Sequence, residues 1–313
     1  MMSLPSTLTG AIDVGGTKIA VGLVQGRQIL ARRTIPTQAA LRYGEAVDTL
    51  AQLLFEMSAQ VGKKLGGIGI GITGRLESAQ RRLAKNDFLP DWTGRDLVGD
   101  LESKFGLPVG IENDADAAAL AENVWGAGQG KARFIYVTVS TGIGGGIVIN
   151  GQLYRGLDGA HPEIGHHTID PSGPACFCGA SGCWERFASG TAMQARVRVT
   201  APPQAAAETL DARRICEYAD QGTPWALQEV GKEAYYLGLG LANLITIFAP
   251  DGIALGGGVM RRWPLFAERA LAVVRQNCRL VPAQQVAVQP AALGEDTPLI
   301  GAALACPLDR ASA

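Results

Sequence analysis

The sequence predicts a duplicated α/β fold, two lobes of strands and helices facing each other across a central cleft. Three observations predict it. Two successive blocks of strand, glycine turn, strand, glycine turn and strand, each followed by helices, recur along the chain as an internal duplication does. The length, 313 residues, suits two ordinary domains or one large bilobal unit. The 41 glycines concentrate in a few loops, where only glycine leaves room for backbone to approach a ligand closely.

In the first block, residues 8–13 are a short apolar run ending in Asp13, and Gly15-Gly16-Thr17 is the turn that follows. Residues 19–24 read as the second strand, 25–27 as another turn and 29–34 as the third strand. A helix is expected at 45–60, a buried strand at 68–72, and a polar loop through Asn86 and Trp92. Residues 96–105 read as helix, 108–111 as strand and 116–124 as an alanine-rich helix. The second block restarts the plan with a strand at 134–139, a glycine turn at 142–146 and a returning strand at 147–149. Asn150-Gly151 then turns the chain into Gln152-Leu153-Tyr154. Residues 161–185 read as an insertion and 201–203 as a surface loop. Helices at 225–248 and 264–276 flank a strand at 252–255 and the turn Gly256-Gly257-Gly258, and a last helix is expected at 298–305. On this reading residues 1–118 form a small N-terminal lobe completed by 298–313, and 119–297 form a large lobe.

Apolar residues make up 47% and charged ones 18%, too apolar for disorder and enough to bury substantial cores. The net charge of −1 lacks the basic footprint on which nucleic-acid binding rests. The apolar stretch 237–248 is too short to span a bilayer and reads as a buried helix, so no membrane association is expected. The first ten residues carry neither a charged start nor an apolar run, so no secretory signal is read there and a cytoplasmic protein is expected.

The insertion holds all three histidines and three of the six cysteines. His166, Cys176, Cys178 and Cys183 make one nitrogen-and-sulfur set that satisfies tetrahedral zinc with no position left open, so the metal would be structural. Pinned by zinc, the loop would fix where Glu163 and Glu185 point. A disulfide between two of these cysteines would strand the third thiol and ignore the histidine, and an intracellular compartment keeps thiols reduced. Cys216, Cys278 and Cys306 are scattered and read as buried apolar side chains, and His161 and His167 as loop residues rather than ligands.

Glycine hairpin turns expose amide donors that can cradle phosphate oxygens. Each half offers one: Gly15-Gly16-Thr17 with Lys18, and Thr141-Gly142-Ile143-Gly144-Gly145. Asp13, at a strand end, is placed to hold a hydrated magnesium ion beside such phosphates. These turns join two strands, whereas a dinucleotide fingerprint joins a strand to a helix, so that reading is set aside. No GxxxxGK[ST] phosphate loop is present. Asn113-Asp114 follows a strand and precedes a helix. The pair reads equally as a helix cap and as a cleft-facing general base for phosphoryl transfer, and the two roles are compatible.

The motifs Asp13-Val-Gly-Gly-Thr-Lys18, Glu112-Asn-Asp-Ala115 and Ser140-Thr-Gly-Ile-Gly-Gly-Gly146 resemble those of the ROK family of sugar kinases and sugar-responsive repressors. So do Glu163-Ile-Gly-His166 and the segment from Cys176 through Cys178 and Cys183 to Glu185, and the likeness spans essentially the whole chain. The resemblance implies the ribonuclease-H-like, actin- and hexokinase-type fold, with ATP and sugar meeting between lobes. It implies that Asp114 takes the proton from the primary hydroxyl of a hexose, most of all glucose. Asn113, Glu163, His166 and Glu185 would bind the other hydroxyls, Gly74 would line the pocket, and His166 would serve zinc as well. Asp13, Gly15, Thr17, Thr141, Gly142, Gly257 and Gly258 match the family's magnesium and nucleotide contacts. A homodimer is also implied. N-acetylmannosamine, N-acetylglucosamine, fructose and allose are the alternative acceptors, and polyphosphate is the alternative donor. Repressors of the family carry a DNA-binding domain in front; with the first strand read near Leu8, such a domain is not expected here.

Overall fold

The computed structural model describes residues 7–37, 42–77, 82–85, 89–200 and 210–307. The chain separates into two compact units: 1–129 with 146–162 and 293–313, and 130–145 with 163–292.

The first unit is built on a sheet of order β3-β2-β1-β4-β7, with β1 at Thr9–Val14, β2 at Lys18–Gln25, β3 at Gln28–Pro36, β4 at Gly67–Ile72 and β7 at Val109–Asn113. β2 runs antiparallel to β1 and β3, whereas β1, β4 and β7 are parallel, with Val14 beside Ile72 and Ile72 beside Asn113. The period-2 alternation of a strand decides which face each residue covers. In β4, sequence GIGIGI, the isoleucines 68, 70 and 72 enter one core with Leu50 and Leu54 of α1 (Tyr43–Val61) and Leu101 of α2 (Leu97–Phe105). The intervening glycines face α9 (Thr297–Leu304), and a Cβ at Gly69 would lie 1.9 Å from the Ala302 carbonyl oxygen. Helix α9 also packs on α3 (Asp114–Trp125) through Gly301, around a second core of Ala11, Ala20, Leu299 and Ile300. α1 presents Ala46, Val47, Leu50, Leu54 and Met57 along one stripe, as an amphipathic helix must. It stops at Gly62, whose φ of 70° lets its N–H reach the carbonyls of Ser58 and Ala59.

The second sheet has the order β10-β9-β8-β11-β12: β8 at Arg133–Val139, β9 at Ile143–Ile149, β10 at Gln152–Leu153, β11 at Gly252–Gly256 and β12 at Ala287–Pro290. β11 is parallel to β8 and β12, and β10 antiparallel to β9. The strand order of the first sheet is thus repeated, and the expected duplication is present. The second unit also holds α4 (Trp184–Phe187), α5 (Gly190–Thr200), α6 (Ala212–Asp220), α7 (Pro224–Phe248) and α8 (Trp263–Asn277). A small ribbon of β5 (Leu76–Glu77) and β6 (Arg82–Leu83) completes the strands.

Three expectations change. Residues 142–146 are not one turn: β9 already starts at Ile143, and Gly144 to Gly146 are strand residues. Their missing side chains serve close packing instead, since a Cβ at Gly145 would lie 2.4 Å from the Tyr136 carbonyl oxygen. A boundary at 118 would cut α3, and the first unit instead keeps 119–129 and takes 146–162, because α3 is packed against α9. α5, α6, β12 and the ribbon β5-β6 were not anticipated. Asn86, the loop 201–203 and residues 308–313 lie outside the described residues.

Candidate active site

Parallel strands gather functional groups at their carboxyl ends, beyond which ligands bind. In the first unit β1, β4 and β7 end side by side, and Asp13, Gly74 and Asn113-Asp114 sit there. Gly71 stands between Asp13 and Glu112 in the strand register, and the space over it is bordered by Ala117 and Ala302. Asn113 is the cap of α3: its Oδ1 accepts from the N–H of Ala115 at 2.9 Å and of Asp116 at 3.2 Å. Its Nδ2 donates to the Gly74 carbonyl at 3.3 Å, which ties Gly74 (φ 101°) to the same corner. With Asn113 capping, Asp114 needs only one oxygen for the local backbone, Oδ1 accepting from Ala115 N–H at 2.8 Å.

Asp114 keeps a partly exposed surface although protein surrounds it densely, and burial raises its pKa above the ordinary carboxylate range. The Ala115 amide and the charge of His161 oppose that rise without cancelling it. Asp13 is raised to about 7, by burial first and then by the negative charge of Asp114; Lys18 and Arg32 compensate only in part. A divalent cation bound beside these carboxylates would reverse the preference for the neutral form. The turn after β1 is braced by Thr37, whose hydroxyl donates to the Gly15 carbonyl at 2.9 Å and whose N–H donates to the Thr17 carbonyl at 2.9 Å. Gly16, Thr17 and Lys18 are exposed, and no acceptor among the described residues takes the Gly16 and Thr17 amides.

In the second unit the turn after β8 is tightened by Ser140 N–H donating to the Gly142 carbonyl at 2.9 Å, and Thr191 Oγ1 donates to the Thr141 carbonyl at 2.7 Å. The Thr141 and Gly142 amides have no acceptor among the described residues, but the Ile143 amide donates to Glu185 Oε2 at 2.8 Å. The expected five-residue amide nest is therefore reduced to Thr141-Gly142, because Gly144 and Gly145 belong to β9. Gly257 follows β11 with φ 88°, and a Cβ there would lie 2.3 Å from the Val139 carbonyl oxygen, so only glycine lets this turn pass β8. Gly258 is in open space.

Gly165 presses the turn Ile164–His166 on β9, since a Cβ there would sit 2.0 Å from the Ile143 carbonyl oxygen. This contact brings the segment bearing exposed Glu163 and half-buried His166 beside the segment bearing Gly142, to which Glu185 is also bonded through Ile143. The ligand atoms of His166, Cys176, Cys178 and Cys183 lie within 4.8 Å of one another. His166 Nδ1 is 3.4 Å from Cys176 Sγ, and Cys178 Sγ is 3.5 Å from Cys183 Sγ. That is the spacing of donors around one tetrahedral ion, with Nε2 of His166 left on the far side of the ring. Arg196 braces the helix that carries Glu185: it donates to the Phe187 carbonyl, to Glu229 Oε1 and to Glu233 Oε2. Patterning gave no sign of this triad, because α5 was not foreseen.

Among the described residues no disulfide forms, and Cys216, Cys278 and Cys306 are buried as expected. His161 and His167 stand apart from the metal set, yet both are committed, His161 Nδ1 to Asp116 Oδ2 at 2.7 Å and His167 Nδ1 to the Ile164 carbonyl at 2.6 Å.

The duplicated sheet, the paired strand-end turns and the cysteine–histidine set are accompanied by a match of the ROK family profile to residues 9–307, and the chain belongs to the ROK family. Within it, a glucokinase of Streptomyces coelicolor is 37% identical over 267 residues, 80% of this chain and 82% of that protein. The crystal structure of a ROK family glucokinase from Streptomyces griseus, in complex with glucose and AMPPNP, superposes with a TM-score of 0.79 at 34% identity, covering 96% of this chain and 99% of that one. The xylose repressor of Bacillus spizizenii is 35% identical over 237 residues, 75% of this chain and 59% of that protein. The fold is thus that of the ROK sugar kinases, the actin- and hexokinase-type fold expected from the sequence.

Proposed function

We propose that this chain is an ATP-dependent hexose kinase that phosphorylates the 6-hydroxyl of glucose. The observation that carries this reading is Asp114: a carboxylate of raised proton affinity at a strand end, with one oxygen committed to the helix start and the other left for a ligand. The likeness to glucokinases supplies the substrates. Asp114 accepts the proton of the 6-hydroxyl as that oxygen attacks the γ-phosphorus of ATP, and ADP leaves with the electron pair of the broken bridge bond. Phosphoryl transfer needs little beyond alignment and charge stabilisation. The amides of Gly15-Gly16-Thr17 with Lys18, those of Thr141-Gly142, and the turn Gly257-Gly258 are the donors this chain offers to phosphates and nucleotide. Asp13 would hold magnesium, which spreads the charge that builds on the phosphate oxygens. Asn113, Glu163, His166 and Glu185 bind the remaining sugar hydroxyls in this reading, and Gly74 lines the pocket. Asn113 keeps its second Nδ2 hydrogen for that purpose, the first being donated to the Gly74 carbonyl. Zinc on His166 Nδ1 and the three cysteines would hold the loop and leave Nε2 facing the sugar.

In this reading the protein is cytoplasmic, where the thiols of a zinc set stay reduced, and a homodimer is carried over from the family. N-acetyl hexosamines, fructose and polyphosphate are less favoured than glucose and ATP. A repressor needs sugar binding but no base, so sugar-dependent turnover separates the classes. A coupled ADP-release assay with Mg-ATP across glucose, mannose, fructose, N-acetylmannosamine and N-acetylglucosamine is the test. Glucose should give the highest kcat/KM. Preference for an N-acetyl sugar would overturn the acceptor, and no ADP with any sugar would overturn the kinase.

A further inference from the structure

Asp114 is bracketed by two carboxylates that the proposed chemistry leaves unused. Glu112 lies near the end of β7, and Asp116, in the first turn of α3, is 0% exposed. One guanidinium spans both: Arg155 Nη2 donates to Glu112 Oε2 and Nη1 to Asp116 Oδ2. His161 Nδ1 meets the same Asp116 oxygen at 2.7 Å. Arg155 and His161 belong to the segment 146–162, which the first unit gains. Gly146 opens that space, since a Cβ there would lie 2.8 Å from Asp116 Oδ1.

Burying a charged triad is weak evidence for stability, because a well-packed apolar replacement is often as good or better. Its location points elsewhere. The two carboxylates are residues i−2 and i+2 of Asp114, on either side of the strand-to-helix corner. Arginine is the one side chain whose rigid fork can bridge both at once. We propose that Arg155 is a positioning residue for Asp114: by bridging Glu112 and Asp116 it fixes the corner between them and offsets two negative charges beside the base. His161 adds a second partner to the same Asp116 oxygen, while Asp116 Oδ1 stays buried without a partner among the described residues. This rests on Asp114 being the base, and the experiment separates the two claims.

Arg155→Gln should lower kcat with glucose about 10- to 100-fold, the range typical when a supporting hydrogen-bond partner is lost. Glucose affinity, read from tryptophan fluorescence, should change less than about twofold, since uniform binding is untouched. Glu112→Gln keeps its volume and removes the charge from one arm of the bridge, so it tests the same point should Arg155→Gln fold poorly; a several-fold loss in kcat is expected. In a cycle with Asp114→Asn, the double variant should lose no more than Asp114→Asn alone, because Arg155 acts through that residue. A kcat within about twofold of the parent for both Arg155→Gln and Glu112→Gln, a multiplicative loss in the double variant, or a loss of affinity in step with kcat would overturn the proposal. Should Asp114→Asn retain turnover, the base assignment falls and takes this proposal with it; should only Asp114→Asn lose turnover, the positioning role alone falls.

Discussion

A carboxylate in the first turn of a helix ordinarily ionises easily, because the amide dipoles there favour negative charge. Asp114 occupies such a position, yet burial outweighs the dipole and its proton affinity rises. That balance suits a group that must take up a proton at a defined moment, since a base of very low pKa has little drive to accept one. At the same scale, the proposed site would tie metal to sugar through His166, whose Nδ1 lies 3.4 Å from Cys176 Sγ. Replacing Cys178, the exposed sulfur of the set, should therefore do two things. Cys178→Ser should lower zinc, measured by plasma emission spectroscopy, well below one per chain, and raise the KM for glucose several-fold. Full zinc content with an unchanged KM would separate the metal from the sugar.

At the scale of elements, the two-faced strand β4 shows how far local pattern reaches. Alternating glycine and isoleucine in GIGIGI is a strand with one apolar face and one bare face, and the bare face receives α9. A Cβ at Gly69 would enter the Ala302 carbonyl, backbone that cannot give way as a side chain can. Gly69→Ala should destabilise the protein by about 3 kcal/mol, at the upper end of the usual cost of overpacking. Urea denaturation followed by circular dichroism measures this, and a loss below about 0.5 kcal/mol would show that α9 can move away. The strands β1 to β4, β7, β8 and β11 and the long helices were legible because apolar periodicity and glycine punctuation mark them. α5 and α6 were not, because their buried residues are few and α5 carries arginines and threonines on most of its faces. The start of β9 was misread for a different reason: its glycines look like a turn, and only the tertiary packing of Tyr136 and Ile164 explains them.

At the scale of the whole molecule, duplication supplies two sheets of the same strand order, each offering turns at the carboxyl ends of its parallel strands. The first unit carries Asp13 and Asp114, and the second carries Thr141, Gly142, Glu163, His166 and Glu185. The motif residues were legible because each is written in a short, chemically specific string. Their supporting partners were not: Arg155 lies 39 residues from Asp116 and 43 from Glu112, and no local pattern joins them. The proposed chemistry rests on the base that the first unit carries. The decisive measurement is glucose-dependent ADP release by Asp114→Asn beside the parent chain, with glucose affinity measured on both. The account predicts a kcat lower by about 10²- to 10⁴-fold with affinity retained. Turnover close to that of the parent would contradict it.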